Sequence, residues 1–224
     1  MERNKSPKSA ATRARILSTA TELFRRQGFE KTTMREIARV AGVALGAAYY
    51  YFPTKESMVQ ALYEGLSSAV ETEMPRILAH KSLEKRLHAF TERLFEVLAP
   101  ERALYAVIAP SSFDPRSPLS PLHAASAKPR AEAIDRFRRI VAADETKVPP
   151  ALRPTLPRLL WLWHLALLAV WVYDTSPGQK KTRALRDATL RLVTKGMGLL
   201  AFRPFAREIE PLLAFVDDLL AEDP

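Results

Sequence analysis

The sequence predicts a helical protein, and three observations predict it. Residues 32–52, Thr-Thr-Met-Arg-Glu-Ile-Ala-Arg-Val-Ala-Gly-Val-Ala-Leu-Gly-Ala-Ala-Tyr-Tyr-Tyr-Phe, read as two short helices joined by a tight turn, the second ending in a cluster of aromatics. Upstream, Ile16, Leu17, Ala20, Leu23 and Phe24 recur at i, i+1, i+4, i+7 and i+8, a single apolar face of one amphipathic helix. Downstream, segment after segment places apolar residues at helical spacing, and residues 159–173 are apolar almost all round.

The first helix ends at Gly28-Phe29, with Arg25 and Arg26 in its last turn, where cations suit the negative end of the dipole. Thr33 can cap the second helix through its hydroxyl, and Glu36, three residues on, can close a capping box. Ile37, Ala38 and Ala41 then keep helical spacing. Gly42 falls where a chain turning between two helices needs a residue free of Cβ strain. From Ala44 the side chains stay small until Tyr49, so the third helix can approach another surface closely. That is the geometry of a helix-turn-helix, whose second helix enters the DNA major groove. A plain three-helix bundle with solvated basic residues would share the spacing.

Pro53-Thr54-Lys55-Glu56 marks a break and a new start, with Thr54 as the cap of a fourth helix over residues 54–78. Leu83, Leu87, Phe90, Leu94, Val97 and Leu98 place another helix over 82–98, closed by Ala99-Pro100. A shorter helix over 102–109 is expected to end at Pro110, and 111–118, rich in turn formers, reads as a loop. A helix over 122–143 follows, its early part disturbed by Pro129, before Pro149, Pro150, Pro154 and Pro157 punctuate a connection. The apolar run 159–173 is too short for a bilayer, which needs about 20 such residues. A helix apolar on every side must instead be buried on every side, its own domain covering one flank and a second subunit another. A last helix over 181–202 carries Leu185, Ala188, Leu192, Gly196, Leu199 and Leu200, with Gly196 and Gly198 permitting close approach.

The charge is unevenly placed. The chain of 224 residues carries +9, from 34 basic and 25 acidic side chains. Residues 1–60 hold 11 Lys or Arg against 5 Asp or Glu, so most of the excess lies in about a quarter of the length. A basic footprint focused on one region is what phosphate neutralisation requires. Cysteine is absent, which removes disulfides, thiolate metal sites and thiol nucleophiles. The start, polar and basic without an apolar core, does not read as a secretory signal; residues 1–11 read as a disordered basic arm.

Residues 12–62 resemble the DNA-binding domain of the tetracycline-repressor (TetR) family. The residues that match are Arg15-Ile16-Leu17, Ala20, Glu22-Leu23-Phe24, Gly28-Phe29, Thr32-Thr33-Met34, Glu36-Ile37-Ala38, Ala41-Gly42-Val43, Gly46, Tyr49, Tyr51-Phe52 and Lys55-Glu56. The resemblance implies an all-α fold. An N-terminal three-helix helix-turn-helix domain (12–57) would be followed by a C-terminal helical domain (58–224) for effector binding and dimerisation. It further implies a cytoplasmic bacterial homodimer, nucleoid-associated when bound, that grips double-stranded DNA at a palindromic operator. A small hydrophobic or aromatic effector would release it, and the last two long helices would form a four-helix dimer seam. No cofactor or membrane is implied.

The resemblance makes Thr33 and Lys55 phosphate contacts and gives Tyr49 and Tyr51 to the DNA backbone. Arg35 can reach a guanine edge or a phosphate, because a guanidinium forks to either. The sequence departs from the family pattern where base reading would be sharpest, at Ala44, Leu45 and Ala47 around Gly46. These cannot donate hydrogen bonds to bases, although they can touch a thymine methyl. Specificity would then lean on Arg35, Tyr50, apolar contacts and DNA shape.

For an effector pocket the candidates are Trp161, His164 and Trp171 on the long apolar helix, with Phe90, Tyr105 and Phe113 as partners, since such pockets favour aromatics with a few polar groups. His80, His88, His123 and His164 are widely separated and form no metal-binding spacing. A helical enzyme is the distant alternative, for no phosphate loop or nucleophile motif occurs among only 7 glycines. A constitutive DNA-binding regulator without an effector is the nearer one.

Overall fold

In the computed structural model, residues 7–143, 148–199, 211–216 and 218–220 are described. Ten α-helices are distinguished among them: α1 (Pro7–Gln27), α2 (Met34–Val40), α3 (Leu45–Tyr51), α4 (Lys55–Glu71), α5 (Met74–Leu78), α6 (Leu83–Leu98), α7 (Arg102–Phe113), α8 (Ala127–Ala142), α9 (Leu156–Tyr173) and α10 (Lys180–Leu199). A further helical segment spans 211–216, and no strand occurs among the described residues. The expected all-α class is what is found.

The N-terminal core forms because the predicted apolar faces converge. Ile16, Ala20, Leu23 and Phe24 of α1 meet Ile37 of α2, Phe52, and Met58 and Val59 of α4. Phe29 closes this core, its ring 5.1 Å from that of Phe24. Thr33 caps α2 as expected, its hydroxyl oxygen accepting from the Glu36 N–H at 3.2 Å. The Glu36 carboxylate does not reach back to complete the box; it accepts from Gln27 Nε2 at 2.6 Å and ties α2 to the end of α1. Gly42 has φ +64°, the left-handed conformation that a Cβ would strain. Thr54 does form a reciprocal box, with Ser57 as its partner.

Several boundaries differ from the sequence reading, and proline chemistry explains three of them. The fourth helix stops at Glu71 and restarts as α5, because Pro75 has no N–H for the Glu71 carbonyl and its ring would press on it. Pro110 does not end α7, which runs on to Phe113; Pro110 is exposed while Leu104, Ile108 and Ala109 of the same helix are buried. Pro129 does not disturb α8 but stands in its first turn, where an N–H would lack an intrahelical partner anyway, and residues 122–126 precede the helix as turns and a short 3₁₀ segment. Finally, α1 begins at Pro7, so residues 7–11, assigned to the basic arm, are helical. Residues 1–6 of that arm, and Leu200 and Phe202 near the end of the last helix, lie outside the described residues, as do the surroundings of Gly198 and the Leu199 side chain.

The larger core joins α4–α6, α8, α9 and α10. Phe90 and Phe137 meet edge to face at 5.0 Å, and Leu213, Val216 and Leu220 from the C-terminal segment join them. A smaller core stacks Phe95 on Trp171, 5.7 Å apart and nearly parallel. The apolar helix α9 starts at Leu156, earlier than expected, and is long and apolar enough by composition to cross a bilayer (18 residues, mean hydropathy 1.4). Its Leu156, Leu160 and Trp161 belong to the larger core, and its Leu167 and Trp171 to the smaller. It is not buried all round within one chain: Ala166 is exposed, and so are Val170 (41 %) and Tyr173 (55 %).

One helix bridges the two ends of the molecule. At the start of α7, Arg102 donates from Nε to the Trp171 carbonyl at 3.0 Å and from Nη2 to the Asp174 carbonyl, gripping the end of α9. Near its other end Ser111 donates to the Glu30 carboxylate at 2.9 Å, in the turn between α1 and α2. Leu104 and Ile108 between them pack into the N-terminal core. The α9–α10 turn is held by Asp174, whose carboxylate accepts from Ser176 and Thr182 through both backbone and side chain. The Ser176 hydroxyl above all holds that carboxyl far below its usual range.

Candidate nucleic-acid interface and effector region

The turn between α2 and α3 carries the outward surface. Ala48 faces the core, which turns Leu45, Gly46, Tyr49 and Tyr50 outward on α3. Tyr50 is 72 % exposed and Tyr49 48 %, so neither is a core side chain. Arg35 on α2 is exposed and has no hydrogen bond or ion pair among the described residues, leaving its full fork of donors free. Thr33 is exposed; its oxygen is occupied as the cap, but its O–H proton remains available to an anion. Ala44 is exposed and Ala47 half-buried, an apolar, donor-free floor between Arg35 and the tyrosines.

Two expected backbone contacts have intramolecular partners. Tyr51 is half-buried and donates from its hydroxyl to Ser9 Oγ at 3.1 Å, fastening α3 to the start of α1. Lys55 donates from Nζ to the carbonyl oxygens of Phe29 (2.9 Å) and Glu30 (3.3 Å), and lies 4.3 Å over the Phe29 ring. Two of its three ammonium donors thus anchor the α1–α2 turn, and the Glu30 carboxylate lies 3.9 Å from the same nitrogen. Sequence reasoning missed both partnerships, because they join residues 42 and 26 positions apart through no local pattern.

The six effector candidates do not share one cavity. Phe90 and Trp161 belong to the larger core, with His164 against Phe137 (5.2 Å between ring centroids). Trp171 is stacked in the smaller core, and Phe113 projects to solvent at 59 % exposure from the end of α7. Tyr105 lines a cavity of about 270 Å³ between α1, α4 and α7. His164 donates from Nδ1 to the Trp161 carbonyl, and burial above all pushes its pKa down to about 4, against the pull of that carbonyl. Arg136, half-buried nearby on α8, donates to Ser67 Oγ at 2.7 Å and adds to the depression. No group of three or more His, Cys, Asp or Glu suited to a metal occurs among the described residues.

Comparison with known proteins assigns this architecture. Residues 16–62 match the family model for bacterial regulatory proteins of the tetR family, and residues 86–212, more than half of the chain, match the tetracyclin repressor-like C-terminal domain. The chain belongs to the TetR family. The HTH-type transcriptional regulator TtgR of Pseudomonas putida is 34 % identical over 113 residues, which cover 44 % of this chain and 54 % of TtgR. The chain thus spans about half the length of the curated relatives it matches. In fold it is similar to the TetR transcriptional regulator from Nitrosomonas europaea, at a TM-score of 0.61 and 19 % identity, covering 81 % of this chain and 97 % of that one. It is also similar to SmeT in its triclosan complex, at 0.57 and 23 %, covering 82 % and 90 %. The TetR family is one of DNA-binding transcriptional regulators, and the matches are to regulators and not to enzymes.

Proposed function

We propose that this TetR-family chain is one half of a homodimeric repressor that grips a palindromic operator through α2 and α3 and releases it on binding a small hydrophobic or aromatic ligand. Residues 12–57 form the DNA-gripping unit in this reading, and 58–224 the effector and pairing unit, with α4 continuous across the boundary. The observation that carries it is the outward surface of α2 and α3. An unpaired guanidinium (Arg35) stands on it with two exposed tyrosines (Tyr49 and Tyr50) and a donor-free floor of Ala44, Leu45 and Ala47. Such a surface reads a guanine edge with Arg35 and thymine methyls with the alanines and leucine, while Thr33, Tyr49, Tyr51 and Lys55 hold phosphates.

Pairing is supported by apolar residues that one chain leaves uncovered. Ala166, Val170 and Tyr173 follow one another along one side of α9, and Leu185 (40 %), Ala188 and Leu192 (73 %) along one side of α10. Trp163 donates to Thr189 Oγ1 at 2.9 Å and holds the two helices together. A two-fold axis there puts two copies of α3 in successive major grooves, about 34–36 Å apart. Residence in the cytoplasm, on the nucleoid when bound, follows from the same reading. For release, the SmeT–triclosan complex is a fold relative with an aromatic ligand.

The test is a mobility-shift titration with duplex DNA from upstream of the chain's own gene. Wild type is expected to shift it with a half-maximum that rises steeply with salt. The Arg35→Ala variant is expected to lose about 1–3 kcal/mol of discrimination between this DNA and a scrambled duplex. Equal binding of both duplexes by wild type at every salt concentration refutes the reading.

A further inference from the structure

The cavity between α1, α4 and α7 has a chemistry of its own. Leu17, Leu62 and Gly65 form an apolar wall, and Tyr63 and Tyr105 stack beside it with ring centroids 5.7 Å apart and planes 13° from parallel. Glu101 is the one charged side chain on its wall, which holds no Lys, Arg or His. The Tyr105 hydroxyl has no hydrogen-bond partner among the described residues; burial first, then Tyr63 and Glu101, disfavour its ionisation. A flat aromatic wall with a single carboxylate attracts a cation and repels an anion. The volume, just under the usual span of about 300–1,000 Å³ for ligand pockets, sets the size of the guest.

The same carboxylate is also a clasp between the DNA-binding unit and the rest of the chain. Arg25 of α1 donates to Glu101 directly before α7, and has Glu22 on its own helix 3.9 Å away as an alternative partner. We propose that this cavity binds a small organic cation with a flat apolar body, whose positive centre replaces Arg25 at Glu101 and so loosens the polar tie of α1 to the start of α7, weakening DNA binding. The release step rests on the proposed repressor function, but the binding step does not.

The probe is benzyltrimethylammonium, compared with neutral benzyl alcohol and anionic benzoate by calorimetry on the full chain. The ammonium is expected to bind about tenfold tighter than either, the scale of one desolvated cation–aromatic contact. Glu101→Gln should remove that preference. Gly65→Leu gives a second arm: Gly65 lies at the exposed mouth of the cavity, a Cβ there meets nothing within 4 Å, and leucine suits a helix interior better than glycine, so the variant crowds the mouth while α4 holds. Circular dichroism checks that this variant is folded, and the ammonium should no longer bind it. Benzoate binding as tightly as the ammonium, or undiminished binding to folded Gly65→Leu, overturns the site. In mobility shifts, saturating ammonium should weaken wild-type DNA binding about tenfold, a response lost in Gly65→Leu. Wild type that calorimetry proves saturated yet holds DNA unchanged overturns the release step. A chain that ignores DNA even without the ammonium overturns the repressor reading, while the calorimetry still judges the cavity.

Discussion

His164 makes the stability of this fold depend on pH in a calculable way. Its pKa falls from about 6.5 to about 4 because burial removes water from the imidazolium, with Arg136 adding to the depression. Between those values the unfolded chain binds a proton that the folded chain does not, so stability increases with pH across the window. The contribution is complete above pH 6.5 and is lost as pH falls toward 4. A shift of this size is worth about 3 kcal/mol in full, and about 2 kcal/mol of it is gone by pH 5. Glu71, held low chiefly by the Arg139 hydrogen bond, acts only at lower pH. So does Glu92, where burial pushes upward but Arg183 and Arg186 outweigh it. Urea unfolding of wild type and His164→Gln at pH 7.5 and 5, at one protein concentration, isolates the histidine. Wild type should lose about 2 kcal/mol more than the variant over that interval. Equal losses would refute the assignment of His164 as a desolvated neutral group.

Lys55→Ala should act twice. It removes two charge-assisted bonds to the α1–α2 turn, costing about 1–2 kcal/mol by chemical denaturation, and it should weaken binding to all duplexes alike while lowering the salt slope by about one. A variant with altered operator preference but an unchanged slope would contradict the phosphate role. Ala188→Asp and Leu192→Asp place a carboxylate on the exposed side of α10 and should give folded monomers in sedimentation velocity; a dimer that persists in both moves the seam elsewhere.

Local physics carried most of the sequence reading. Thr33 and Thr54 cap because a hydroxyl before a helix serves the nearest free N–H, and Gly42 takes positive φ where the turn demands it. Prolines were ambiguous for the opposite reason: Pro110 and Pro129 look like helix breakers, yet one sits on an exposed flank and the other in a first turn. Only tertiary burial of the neighbouring residues decides such cases. The polar clasps were illegible. Arg25 and Glu101 lie 76 residues apart, and Glu36 chose Gln27 over its own cap because α1 ends beside it. The effector candidates were drawn from aromatic content, which cannot separate Trp171, stacked in a core, from Tyr105, at a cavity wall.

Helix α7 is a strut fixed at both ends, by Arg102 to the close of α9 and by Ser111 to the turn after α1. Its 12 residues make a rod about 18 Å long. If one end pivots through about 10°, the other sweeps about 3 Å, close to the rise of one base pair at about 3.4 Å. A tilt imposed at the close of α9 is therefore carried along the rod to the turn after α1, which opens onto α2.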